Sequence, residues 1–203
     1  MTATTLEKLD QEARALLFTE ARTSNTFADT PVSDEELRDI WSLARFTPTM
    51  ANTQPLRVLF VRSPEGKERL LPHIAEGNAA KTKAAPVTAI LAVDKNWHEQ
   101  IPTIFPHRPE MKDNFDGDHA LDLRVELGTF SAALQAGGFI YATRAAGLAA
   151  GPIKGYDSAG IDKEFFPEGN WQTILVINLG HPGENPWFDR LPRVPEDTAI
   201  KFA

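Results

Sequence analysis

The chain has 203 residues, 42% hydrophobic and 24% charged, the mix of one ordinary globular domain with room for a sizeable core. Lys plus Arg number 21 against 28 Asp plus Glu, a formal charge of −7, which argues against a nucleic-acid backbone or an anionic membrane surface as partner. There is no Cys, so disulfides, thiolate nucleophiles, Cys-bound zinc and iron–sulfur clusters are excluded.

Leu6, Leu9, Ala13, Leu16 and Leu17 recur at helical spacing, so the chain is expected to open with an amphipathic helix rather than the uninterrupted apolar run of a signal peptide. A second helix starts at Ser33. Ser33 and Glu36 have capping-box spacing, Val32 and Leu37 can staple the entry, and Leu37, Ile40, Trp41 and Ala44 line one face. Pro48 ends any continuation. Residues 57–62, 86–93 and 171–179 read as strands, rich in β-branched or other apolar residues. A charged helical stretch runs from about Glu65 to Ile74. A long helix runs from about Leu121 to Ala146, apolar on nearly all sides in its second half. Its least charged part, Thr129–Thr143, is shorter than the roughly 20 residues a membrane span needs. Residues 96–119 carry Pro102, Pro106, Pro109 and DNFDGD and read as a short helix with a mobile loop. Beyond Gly180, four prolines mark an extended arm that needs a surface to lie on, for which a second subunit is the natural candidate. The expected fold is α+β, a single domain over 1–203. It has an antiparallel or mixed sheet, helices packed around the long central one, and an extended C-terminal arm. The expected location is the cytoplasm.

The familiar catalytic signatures are missing. There is no G-x-G-x-x-G, no G-x-x-x-x-G-K-[ST] and no G-x-S-x-G. The five His residues show no H-x-x-x-H spacing, and DNFDGD breaks the EF-hand pattern because Lys112 would fall at the first ligand position. No metal site is expected.

Four segments suit a phosphorylated planar ligand. In Arg22-Thr23-Ser24-Asn25, a guanidinium stands beside hydroxyls and an amide, a set that can hold phosphate. The loop Thr47–Pro55 offers small residues and amides between helix and strand. In Gly147–Tyr156, three glycines at four-residue spacing would end the long helix and bring backbone N–H groups close to a ligand. Arg190-Leu191-Pro192-Arg193 puts a basic pair in the arm. Each segment alone also fits an ordinary helix end, connector, turn or solvated tail.

Taken in order, these segments resemble the nitroreductase family of FMN enzymes over nearly the whole chain. A-R-T-x-N followed by Phe27 is similar to the family's N-terminal phosphate site, and P-T-x-x-N-x-Q-P to its P-S-S-x-N-x-Q-P loop. Gly77-Asn78 with Lys81 occupies the place of its Asn and Lys flavin contacts. G-P-I-K-G resembles its P-I-x-G segment, and R-L-P its C-terminal phosphate Arg. Phrases such as TPVSDExL, GNxxKTxxAPVTAI and RLPR are shared with the subgroup containing malonic semialdehyde reductase. Three positions depart from the family pattern. Asn25 stands where many members carry a second cation, Leu56 where a Trp often follows Q-P, and Lys154 where several relatives have Glu.

The resemblance implies an FMN-dependent NAD(P)H oxidoreductase working by ping-pong hydride transfer through flavin N5, with no side-chain catalyst. Arg22, Thr23, Asn25 and Arg190 would hold the FMN phosphate. Asn78 and Lys81 would contact the ribityl chain and the polar edge of the ring, and Lys154 and Gly155 would offer backbone N–H groups near N5. Thr49 and Asn52 would come from the opposite subunit of a homodimer. The implied acceptor is a small molecule, malonic semialdehyde reduced to 3-hydroxypropionate. The alternatives are a broad nitroaromatic or quinone reductase and a flavin-binding protein without turnover. Residues 96–118 would form the lid that sets acceptor choice.

Overall fold

The structure is a computed structural model and describes residues 6–203. The first helix begins later than the leucine spacing suggests. Asp10 caps it by accepting from the Ala13 N–H at 2.7 Å, and α1 (Gln11–Arg14) runs into a π-helical turn, Ala15–Thr19. The second, α2 (Asp34–Ala44), has the expected capping box: Ser33 accepts from the Glu36 N–H while the Glu36 carboxylate accepts from the Ser33 N–H. These bonds hold the Glu36 carboxyl below its ordinary range. Val32 and Leu37 are both buried in the main core, as a staple requires.

Four strands form one antiparallel sheet in the order β1-β2-β4-β3. The strands β1 (Leu56–Val61), β2 (Val87–Asp94) and β4 (Trp171–Gly180) match the apolar runs of the sequence. Between β1 and β2 lie α3 (Pro64–Leu70) and α4 (Glu76–Ala84). The glycine-rich segment, which the sequence does not mark as a strand, holds a fourth strand, β3 (Ala149–Ile153). Ala-Ala-Gly-Pro-Ile has little intrinsic strand preference, and pairing with β4 from Ala149↔Gly180 to Ile153↔Val176 imposes the conformation. Pro152 is tolerated because β3 is an edge strand. Gly151 is needed there, since a Cβ would stand 2.6 Å from the Ser24 carbonyl oxygen.

The long helix α6 (Leu121–Ala145) crosses the sheet. Its Ala132, Ala136, Phe139 and Ala142 join α2 and strand residues in the main core. A second core on the other face gathers Leu70, Ile90, Ile161 and Val176, and includes Ile161 from α7 (Ser158–Phe165).

The stretch expected to be a mobile loop has a small core of its own. It contains α5 (Ile101–Ile104) between two 3₁₀ segments, Trp97–Gln100 and Pro109–Phe115. Trp97, Ile101 and Phe115 pack together, and Gly128 leaves α6 open where the Trp97 indole lies against it. Arg124 donates to the carbonyls of Lys95, Phe115 and Gly117, tying both ends of the segment to α6. The arm after Gly180 is extended and largely exposed, ending near a short helix, α8 (Glu196–Ala199). No helix among the described residues is long and apolar enough to cross a membrane.

Candidate functional site

The N-terminal segment, β3 and the arm are laced together by backbone bonds. The Ser24 N–H donates to Ala150 O, Asn25 N–H to Pro186 O, and Ala28 N–H to His181 O, each at 3.0 Å. Phe27 forms a β-bridge with Pro182, and Gly183 lies so close to the Phe27 backbone that any Cβ would clash. This lacing carries Arg22, Thr23 and Asn25 to the start of the arm, more than 150 residues away in sequence.

An open pocket of about 390 Å³ results, lined by Arg22, Thr23, Asn25 and Arg190 together with Arg144 and Arg193. Asp189 is the only carboxylate among the lining residues. Arg22 reaches Glu20 only at 4.0 Å, and its Nε–H is buried with no acceptor. Four guanidiniums around one opening, one with an orphaned donor, are chemically suited to a dianionic phosphate.

Two residues here carry more than the sequence suggested. Arg190 donates to the carbonyls of Thr19 and Ala21, so it also fastens the arm to the end of the first helix. Arg144, at the last turn of α6, was not singled out, because a cation there is ordinary complementarity to the helix dipole. It is partly buried and has no carboxylate partner among the described residues. Desolvation lowers its pKa, and one of its N–H groups meets Leu17 O at 3.2 Å. Its charge enters the pocket where Asn25 lacks one.

A second group forms at the far end of β3. The Gly155 carbonyl accepts from the Ala75 N–H at 3.0 Å and from Asn78 Nδ2 at 3.3 Å. A Cβ on Gly155 would stand 2.6 Å from that amide nitrogen. Lys81 lies one turn beyond Asn78 on α4, on the same side. The Lys154 ammonium turns away to Tyr156 Oη and Ile174 O, both at 3.0 Å, which leaves its backbone as the part able to serve a ligand at this position. Ala150, beside the arginine pocket, and Gly155 are at most roughly 17 Å apart along the strand at about 3.3 Å per residue. That span suits a phosphate, a sugar-alcohol chain and a fused ring laid end to end.

Thr49 and Asn52 do not join either group. Their loop is strained, with Ala51, Asn52 and Gln54 all at positive φ. Thr49 Oγ1 accepts from the Gln54 N–H at 3.2 Å, and Asn52 Nδ2 donates to Ile104 O at 2.7 Å. The Met50 N–H meets Ser131 Oγ at 3.4 Å. Ser131 and Arg144 are about 20 Å apart along α6 at 1.5 Å per residue, so within one chain this loop and the arginine pocket are separate.

The chain is similar to known proteins along nearly its whole length. The Nitroreductase family model matches residues 19–181. A Streptomyces coelicolor protein named "Putative NADH dehydrogenase/NAD(P)H nitroreductase" is 56% identical over 198 residues, covering 98% of this chain and 97% of its own. A Streptomyces griseus protein of the same name is 50% identical, covering 95% and 96%. Among solved structures, a chain from Exiguobacterium sibiricum described as a "putative nitroreductase in complex with FMN" superposes with a TM-score of 0.80 at 20% identity, over 98% of this chain and all of that one. A nitroreductase family protein from Streptococcus pneumoniae gives 0.75 at 20% identity, over 92% and 98%. With its family model spanning most of the chain and its relatives matching almost end to end, this chain belongs to the nitroreductase family.

Proposed function

We propose that this chain is an FMN-dependent NAD(P)H oxidoreductase. The observation that carries the reading is the convergence of Arg22, Thr23, Asn25 and Arg190 on one pocket with an orphaned Arg22 donor. The names of the Streptomyces relatives support the same activity. Bound there, FMN would supply the hydride-transfer chemistry between reduced nicotinamide and the acceptor. The protein's part is binding and orientation. Arg22, Thr23, Asn25 and Arg190, joined by Arg144, would hold the phosphate; Asn78 and Lys81 would contact the ribityl chain and the polar edge of the ring, where the Lys81 ammonium would stabilise negative charge. The backbone N–H groups of Lys154 and Gly155 would serve flavin N5.

The working form in this proposal is a homodimer, in which Thr49 and Asn52 of one subunit cover the flavin of the other. Phe130, Leu134 and Tyr141 on α6 are 65%, 45% and 42% exposed in the single chain, a large uncovered apolar area for a helix that also packs the core. An interface of roughly 2,000 Å² or more is expected. Sedimentation that finds a folded 22.4 kDa monomer retaining FMN overturns this part.

For the acceptor, the shared phrases with the malonic semialdehyde reductase subgroup support a small aldehyde acid in the cytoplasm. The relatives' names favour a second reading, a broad nitroaromatic or quinone reductase. Steady-state NADH and NADPH oxidation with malonic semialdehyde, a nitroaromatic and a quinone separates the two. The visible spectrum tests the foundation: a yellow preparation, or one that turns yellow with added FMN, is expected, and a protein that stays colourless overturns the proposal.

A further inference from the structure

The helix that carries Asn78 and Lys81 has almost no apolar hold on the protein. In α4, EGNAAKTKA, Thr82 is the only buried residue. A nine-residue helix without an amphipathic face cannot be positioned by hydrophobic packing, so something polar must place it.

At the N-terminal end the Gly155 carbonyl accepts from the Ala75 N–H and Asn78 Nδ2; at the C-terminal end the hold is a closed network of buried side chains. Lys67 of α3 sends its ammonium to the Thr82 carbonyl at 2.9 Å and to Thr88 Oγ1 at 2.5 Å. Thr88, on β2, donates to Asn178 Oδ1 at 2.9 Å. Asn178, on β4, donates from Nδ2 to Thr82 Oγ1 at 3.0 Å. Thr82, Thr88 and Asn178 are fully buried and Lys67 is 8% exposed. The Thr82 carbonyl is one of the last four in α4, which have no partner within the helix, so Lys67 satisfies an orphan acceptor and places a cation at the negative end of the dipole. No carboxylate bonds this ammonium, and desolvation lowers its pKa to about 8. A lysine buried at such cost, with no carboxylate partner among the described residues, calls for a reason in what it holds.

We propose that Lys67 is a positioning residue for the flavin site: through Thr82 it clamps α4 to the sheet and so sets where Asn78 and Lys81 stand. Thr82 follows Lys81 directly and lies one turn from Asn78, so any shift of the clamp reaches both. The inference rests on the flavin reading above, and its test keeps the two apart.

The experiment compares wild-type protein with Lys67→Met, which keeps the length of the stem and removes the charge. FMN and riboflavin are titrated into each apo-protein by fluorescence quenching. Hydrogen exchange of residues 76–84 is followed without flavin. The expected result is a dissociation constant raised about tenfold (~1.4 kcal/mol) for FMN and riboflavin alike, because α4 serves the ring end rather than the phosphate. Faster exchange confined to residues 76–84, with a melting temperature unchanged or raised, is expected beside it. Unchanged affinity for both flavins, or a loss for FMN alone, overturns the inference, as does unchanged exchange in α4. If Lys67→Met does not fold, Thr88→Val, which removes the hydroxyl that accepts from Lys67, carries the same expectations for flavin affinity and for exchange in residues 76–84. Wild-type protein that binds neither flavin sinks the flavin reading itself, whereas faster exchange in the apo variant still reports whether the clamp exists.

Discussion

The arginine pocket and the Lys67 clamp handle cations in opposite ways. Around the pocket, guanidiniums that are exposed (Arg190, Arg193) or half-buried (Arg22, Arg144) line one opening with one carboxylate among the lining residues, and the lacing that holds them is made of backbone bonds. At the clamp, a single ammonium is sealed among neutral oxygens, two of its donors used on Thr82 and Thr88. Exposed, unpaired cations are cheap to keep and attract an anion; a buried cation is costly and attracts nothing from outside. In the function proposed above, the first arrangement recruits the ligand and the second holds the helix that receives it.

The largest effect expected from breaking this comparison is a pH effect at Lys67. Below about pH 8 the amine is protonated in both folded and unfolded chains, and the folded state bears the full cost of burying the charge. Between about 8 and the ordinary 10.5 the folded chain releases its proton while the unfolded chain keeps it, so stability rises with pH across that window. At 1.36 kcal/mol per unit the gain is on the order of 3 kcal/mol. Denaturant melts of wild type and Lys67→Met at pH 7 and pH 10 should show this gain in wild type and its absence in the variant. Parallel pH profiles would mean that the lysine is not desolvated.

At the pocket, Arg22→Ala should raise the FMN dissociation constant ten- to a hundredfold, the equivalent of roughly 1.5–3 kcal/mol for a charge-assisted contact. Riboflavin affinity should hardly change. Arg190→Ala should share that discrimination and also lower the melting temperature, because its bonds to Thr19 and Ala21 are lost with it. An equal loss for both flavins would reassign Arg190 as a fastener of the arm alone. Arg193 serves as the control, since its guanidinium turns back to the Leu191 and Pro192 carbonyls. Arg193→Ala should stay within about 0.5 kcal/mol in stability.

Arg144→Gln sharpens the comparison at smaller scale. If its charge substitutes for the cation absent at position 25, FMN affinity should fall roughly fivefold, about 1 kcal/mol, with riboflavin unaffected. The smallest effect is expected away from both regions. Ser33→Ala, which breaks the capping box of α2, should cost about 1 kcal/mol of stability and leave both flavin titrations unchanged.

Much of the fold was legible in the sequence because it is written in local pattern. Apolar runs mark three strands, Ser33 and Glu36 mark a helix start, and an apolar stretch of suitable length marks the central helix. Arg22, Thr23, Asn25 and Arg190 were legible only as motifs similar to those of a family, and the pocket they share depends on bonds between segments at opposite ends of the chain. The segment around Trp97 misled for a related reason. Prolines and charges announce a loop, but the Trp97 indole, Ile101 and Phe115 find one another only after the chain has folded onto α6.

By itself, then, the sequence determined the start of α2, three of the four strands and the central helix, since caps, periodicity and strand runs act within a few residues. Tertiary structure decided the remainder. It made a strand of Ala149–Ile153 by offering β4 as a partner, and it turned Arg144 from a helix-end cation into a pocket residue. It buried Lys67, which in the sequence is one charge in a solvated-looking helix, beneath the oxygens of three other elements. Burial and long-range pairing depend on which surfaces meet, and no local pattern around Lys67, Arg144 or Gly151 records that.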